Sequence, residues 1–171
     1  MLTEQSPSTI IDFFSKTKWE ETKKPIPSYE TLLNEVWTEG VKTGMRIAVK
    51  TQKATLVKKF QENFLGATNT SELLYSRLNK ETNLGCNKMF LKIHNIKIFE
   101  TLIVVSFDSY LTPNRQKGYE IARQIKNETK NKNFSIIFTF LPETKSLNIK
   151  SVSGDGFFFK YAPKSQKVST R

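Results

Sequence analysis

The chain has one cysteine, Cys86, and one histidine, His94, among its 171 residues. A lone cysteine excludes an intrachain disulfide framework, so nothing calls for an oxidising compartment. Together the two scarcities exclude zinc sites built from several Cys and His, HNH-type chemistry, and any nucleophile–histidine relay except one centred on His94. Long apolar runs are also missing. The longest, Leu102-Ile103-Val104-Val105, is far too short to cross a bilayer, and the opening Met-Leu-Thr-Glu-Gln-Ser-Pro has neither a cationic start nor an apolar leader segment. No membrane role is expected, and the chain is placed in the cytoplasm or an equivalent reducing space. No Pro/Gly/Ser-rich linker divides it and no internal repeat is present. Residues 1–161 therefore read as a single α+β domain, and residues 162–171 as a flexible basic tail.

What the chain does hold is apolar mass and positive charge. Its 37% apolar content, with 13 Phe, is that of a folded domain, and a chain of this size buries roughly 70% of its unfolded surface without a metal or disulfide staple. The net charge of +11 is unevenly laid down: residues 1–41 carry 4 basic and 7 acidic side chains, 42–61 carry 6 and 0, 62–111 carry 5 and 5, and 112–171 carry 12 and 4. Segregation of this kind makes a directional field, the electrostatic footprint of a protein that meets a polyanion.

The apolar spacing predicts helices first. Ser8 caps a segment in which Ile10, Ile11, Phe13, Phe14 and Trp19 gather on one side, ended by Lys23-Lys24-Pro25-Ile26-Pro27. Ser28 starts a second, through Tyr29, Leu32, Leu33, Val36 and Trp37, which closes near Gly40 or Gly44. A third runs from Met45 to Leu65 with Gly66 as its C-cap, and a short fourth covers Ser71–Lys80, capped by Asn69 or Thr70. The period then changes. Met89–Ile98 and Thr101–Phe107 read as a hairpin whose second strand is buried on both faces, and Thr112-Pro113 opens a helix of about four to five turns that ends near Lys130. Phe134–Leu141 and Ser146–Val152 read as strands joined at Pro142–Lys145, and Asp155-Gly156 turns the chain into a last strand, Phe157–Tyr161. The expected fold is α+β: N-terminal helices packed on a mostly antiparallel sheet of about five strands with one crossover helix, in ββαβββ order over the C-terminal half.

Among candidate sites, the helix after Thr112 is the sharpest. At about 100° per residue Arg115, Tyr119, Arg123, Lys126 and Lys130 fall within an arc of roughly 80°, while Gly118, Ile121, Ala122, Ile125 and Thr129 form the side toward the sheet. Such a stripe suits a phosphate backbone, its arginines making bidentate contacts; a solvated helix face of ordinary composition is the competing account. A second group, Lys42, Arg46, Lys50, Lys53, Lys58 and Lys59, meets no carboxylate between Glu39 and Glu62, but on a helical wheel Lys58 and Lys59 point away from the others. Lys50, Lys53, Lys150, Lys160 and the tail are taken as helpers of the stripe. Phe134, Ile136, Phe138 and Phe140 share a core face, whereas Phe157-Phe158-Phe159 cannot all point one way, and at least one must face away from the core.

Other constellations are weaker. Asp108 at a strand end with Glu143-Thr144-Lys145 has the residue types of a Mg²⁺-dependent nuclease, but the same tripeptide recurs at Glu128 and Glu21, and Glu143 reads as part of a hairpin turn. Asp108 itself reads as a turn or cap residue. Ser153-Gly154-Asp155-Gly156 does not open a helix and so reads as a hairpin turn rather than a phosphate cradle. His94 falls mid-strand without acid or base partners, and Cys86 reads as a loop thiol. No cofactor and no catalytic residue is assigned. The expected function is non-catalytic nucleic-acid binding, to DNA or RNA, through phosphates, with a protein–protein interaction module bearing segregated acidic and basic faces as the alternative.

Overall fold

The computed structural model describes residues 18–21 and 49–162, with side chains from Thr55 onward in the second segment. Among them are five strands and four helices: β1 (Trp19–Glu21), α1 (Val49–Glu81), β2 (Cys86–Ile93), β3 (Ile98–Ser106), α2 (Phe107–Tyr110), α3 (Asn114–Thr129), β4 (Ser135–Glu143), α4 (Ile149–Gly154) and β5 (Phe159–Tyr161). The strands form one sheet in the order β1-β5-β2-β3-β4. Every pairing is antiparallel except that of β3 with β4, which run parallel from Ile98↔Ser135 to Ser106↔Glu143. Parallel neighbours need a crossover, and α3 supplies it. The fold is α+β, with a mostly antiparallel sheet.

Helix α1 is one continuous element where the sequence suggests two. Neither Gly66 nor Thr70 ends it; both lie inside a 33-residue helix. Of its buried positions, Phe60, Phe64, Ala67, Ser71, Leu74 and Leu78 alternate spacings of four and three, a seam on the sheet, with Thr68 and Thr70 buried beside it. The seam is hard to see in the sequence because two of its members are Ala and Ser. Ser71 donates to the Ala67 carbonyl at 2.8 Å and meets the Thr101 hydroxyl of β3 at 2.7 Å, so a polar pair is buried without loss of hydrogen bonding. Gly66 costs an isolated helix about 1 kcal/mol, yet the helix runs through it. The seam, β2, β3 and the inner side of α3 close a core in which Phe64 and Phe99 are fully enclosed, each worth about 1.5–3 kcal/mol of transfer free energy.

Ser146–Val152 departs from its expected strand: the segment contains α4 instead. Asn148 acts as N-cap, its side chain accepting from the Lys150 amide, and this local bond favours a helical turn over extension. Consequently Ser153-Gly154-Asp155-Gly156 is the end of a helix and not a hairpin. Asp155 is its C-cap, and Gly156 takes φ 93°, a region that disfavours side chains. Val152 and Phe157 then pack on Phe90, Leu102 and Val104, covering part of the second face of the sheet. This is why β3 is buried on both sides. Phe157 therefore serves the second-face cluster and Phe159 the main core, with Phe158 packed against the latter, so the triplet presents no free ring.

Trp19, expected on a helix, lies in β1, paired with Tyr161, its ring tilted against that of Tyr161 with centroids 5.4 Å apart. The remaining positions of that segment, and the helix expected after Ser28, lie outside the described residues. Ala162 donates its amide to the Lys18 carbonyl at 2.8 Å, so this residue continues the β1–β5 pairing and does not belong to a free tail. Residues 163–171 lie outside the described residues.

Two glycines make opposite demands. A Cβ on Gly118 would lie 2.3 Å from Leu84 Cδ1, whereas one on Gly66 would sit at 3.6 Å from Phe134, an ordinary contact. Gly118→Ala is expected to lower stability by about 1–3 kcal/mol and Gly66→Ala to raise it by about 0.5–1 kcal/mol, read from urea unfolding midpoints at unchanged slope.

Candidate nucleic-acid interface

Helix α3 is fixed to the body by Gly118, Ile121, Ala122 and Ile125. Gly118 lets it lie against Leu78, Leu84 and Phe140. Pro113 is its N-cap rather than its first helical residue, so the helix begins one residue later than expected, and the first turn is closed by backbone bonds alone. One flank faces α1, where Arg77 bonds Gln124 at 3.3 Å while pairing with Glu81. The other flank borders β4, the outermost strand of the sheet. Arg115, Tyr119, Arg123, Lys126 and Lys130 lie along that second flank.

The electrostatics of the flank follow from what surrounds it. Arg115, Arg123 and Lys130 are exposed and Lys126 is half-buried. Among the described residues the ion pairs are Lys18–Glu72, Arg77–Glu81, Lys88–Glu143 and His94–Glu100, and none draws on the stripe. Glu120 and Glu128 of α3 accept hydrogen bonds from Gln116 and Gln124, about 60° or more round the helix from the nearest stripe cation. Tyr119 belongs to the packing, because its ring lies edge-on to Phe140 at 4.7 Å. Burial first, and the neighbouring Tyr110 hydroxyl second, push its phenol above the ordinary value. The Arg115 guanidinium lies over the Tyr110 ring at 4.9 Å.

The other expected contributors do not all meet the stripe. Lys150 is in the first turn of α4 and Lys160 lies in β5 opposite Phe90, so both belong to the second face of the sheet, away from α3. Lys50 and Lys53 occupy the first turns of α1, and their side chains lie outside the described residues. A residue expected to point elsewhere reaches the end of α3 instead. Lys59 reaches across to Asn133 Oδ1 at 3.1 Å, in the turn just beyond α3 that also carries exposed Lys132. A wheel drawn for α1 alone has no record of where α3 ends, and so could not find it.

No protein-family model, curated protein or solved structure matches this chain. The chemistry must be read from its own residues.

Glu143 ends β4 rather than sitting in a turn, so the nuclease-like tripeptide starts in a strand after all. Its carboxylate is held by Lys88 and Asn87, and these bonds, Lys88 first, keep it below the ordinary carboxylate range. Asp108 is in the first turn of α2, and among the described residues no three His, Cys, Asp or Glu gather as a metal site. His94 lies in the turn after β2, not within a strand, and its Nε2 meets Glu100 Oε2 at 2.8 Å. Cys86 is buried at the start of β2, and burial pushes its thiol up to about 12. It is no loop thiol, and at neutral pH it is held as the unreactive protonated form. Between α1 and the β1–β5 end, a cleft of about 510 Å³ lined by Lys18, Glu72, Tyr75, Lys80 and Tyr161 carries both signs of charge. No described helix is long and apolar enough to cross a membrane.

The Lys88–Glu143 pair gives a pH prediction. A carboxyl whose folded pKa is depressed adds stability above its unfolded pKa, and that stability is lost as pH falls through the folded value. In a carboxyl ¹³C NMR titration Glu143 is expected to titrate below the ordinary glutamate value, and to rise part of the way back in Lys88→Met, where Asn87 still donates to it.

Proposed function

We propose that this chain is a nucleic-acid-binding protein that holds the phosphate backbone through the outer flank of α3, without catalysis. The observation that carries the reading is the sharing of that flank by Arg115, Arg123, Lys126 and Lys130, with no ion-pair partner among the described residues. A polyanion is the ligand that four aligned cations attract together. They stand on a helix locked by core side chains, so their spacing is set before a ligand arrives. From Arg115 to Lys130 the axial rise is roughly 22 Å.

The helix supplies a second support. Its first turn, Asn114-Arg115-Gln116-Lys117, holds no acid. Cations at the positive end of a helix dipole are unfavourable by about 0.3–1 kcal/mol each, and a bound anion relieves that repulsion. Lys126 and Lys130 sit at the opposite end, where the dipole favours them. Backbone contacts of this kind position a ligand and do not read its sequence.

The alternative, a protein–protein interaction module, is favoured by one feature. β4 is an edge strand, and from Ser135 to Pro142 it carries no charged side chain while Ile137 is exposed. Uncovered edges of that kind accept added strands. Salt dependence separates the two readings. Binding to fluorescent oligonucleotides is expected to weaken log-linearly with salt, and Arg123→Glu with Lys126→Glu should flatten the slope by roughly 0.7–0.9 for each phosphate no longer neutralised, with an unchanged melting temperature. Oligonucleotide affinity that is absent at low salt, or indifferent to both substitutions, would remove the stripe from the argument.

A further inference from the structure

At the N-terminal end of α3 the surface changes from cationic to apolar. Of the large hydrophobic side chains exposed among the described residues, Phe107 at 47%, Leu111 at 67% and Tyr119 at 39% fall within thirteen consecutive positions at this one corner. Phe107 and Leu111 are four apart, the spacing that stacks side chains along one side of a helical turn. The corner is held in shape. Ser106 caps α2 by accepting from the Ser109 amide, and Thr112 donates both amide and hydroxyl to the Ser109 carbonyl. Beneath it, the Tyr110 ring lies under the Arg115 guanidinium, and Tyr119 is braced on Phe140.

Charge settles what such a corner would accept. Its exposed acid, Asp108, repels phosphate, while the cations begin one turn further on, at Arg115. A ligand lying across both surfaces must be anionic along α3 and flat and apolar at α2. Nucleotide chains have those two chemistries, but a duplex turns its base faces inward and offers phosphates and groove edges. A single strand leaves its bases free to stack on apolar and aromatic side chains beside arginine.

Resting on the proposed function, we infer that the ligand is single-stranded nucleic acid, with phosphates running along α3 and a base seated on Phe107, Leu111 and the edge of Tyr110. The flank between Arg115 and Lys130 accommodates roughly six nucleotides at a stacked rise of about 3.4 Å. Tyr119, whose ring packs edge-on with Phe140, positions the platform.

The test is fluorescence anisotropy at one fixed low salt with four probes: oligo(dT), oligo(U), an abasic strand with the same number of phosphates, and a hairpin duplex. Oligo(dT), oligo(U) or both should bind at least tenfold more tightly than the abasic strand and the duplex. Phe107→Ser with Leu111→Ser, both at exposed positions, should weaken that binding by roughly 5- to 100-fold, the range for loss of one stacked base. Abasic and duplex affinities and the salt slope should stay unchanged, with circular dichroism confirming the fold.

Equal or tighter binding of duplex, or of the abasic strand, overturns the inference. So does an unchanged single-strand affinity in the Phe107/Leu111 variant. If charge reversal at Arg123 and Lys126 still weakens binding in those cases, backbone binding stands and only single-strand selectivity falls. Absence of affinity for every probe overturns both readings and leaves the apolar corner to a protein partner.

Discussion

The parallel pairing of β3 with β4 obliges the chain to travel the length of the sheet between them and return, and that obligation organises this half of the molecule. Strands paired over nine positions, Ile98↔Ser135 to Ser106↔Glu143, leave no room for a tight turn. The connection has to be a helix with one apolar side, which fixes where Gly118, Ile121, Ala122 and Ile125 point. Because β4 is also the last strand of the described sheet, the crossover lies at its margin, with α1 along one side and the short α2 at its N-terminal end. One flank of α3 is spent on α1 through Arg77 and Gln124. Among the described residues the other borders the edge strand, with Tyr110 of α2 at its start, and Arg115, Arg123 and Lys130 are exposed there. The position of the stripe thus follows from topology before any argument about ligand.

Much of this was legible in the residues, and what was not has physical reasons. The inner and outer sides of α3 could be read because 3.6-residue periodicity is local, needing no knowledge of neighbours. The continuity of α1 could not, since Ala67 and Ser71 carry too little apolar surface to register as core. They are buried because the sheet approaches so closely that small residues fit there. Ser146–Val152 alternates well enough to pass for a strand, yet one Asn148 cap and the need to cover Phe90, Leu102 and Val104 made it a helix. Local propensity is weak here and tertiary demand decides.

Charges taught the same lesson at longer range. Lys160 and Lys150 look like continuations of the basic C-terminal half, but β5 inserts between β1 and β2, and α4 crosses the second face. Neither placement has a local signature. Strand order decides which side of the sheet a lysine takes, and strand order depends on contacts far apart in sequence. Lys59 shows the converse: it lies some seventy residues before Asn133 and meets it because α1 and α3 run alongside each other.

The stripe itself is not uniform. Lys126 and Lys130 stand near the carbonyl end of α3, where backbone dipoles already stabilise positive charge, so the fold alone gives a reason for them to be there. Arg115 and its neighbour Lys117 stand near the amide end without an acid in the first turn, and the isolated helix gives no reason for that. Arg115 gains something from lying over the Tyr110 ring, a contact worth about 0.5–1 kcal/mol at an exposed site. That gain is comparable with the dipole repulsion it offsets, so the arrangement is tolerated rather than favoured until an anion arrives. The same end of the helix adjoins the exposed apolar corner of Phe107 and Leu111. Two features that each cost something in water, an uncompensated positive helix end and an uncovered hydrophobic surface, therefore sit side by side, and a ligand joining phosphate to base would relieve both at once.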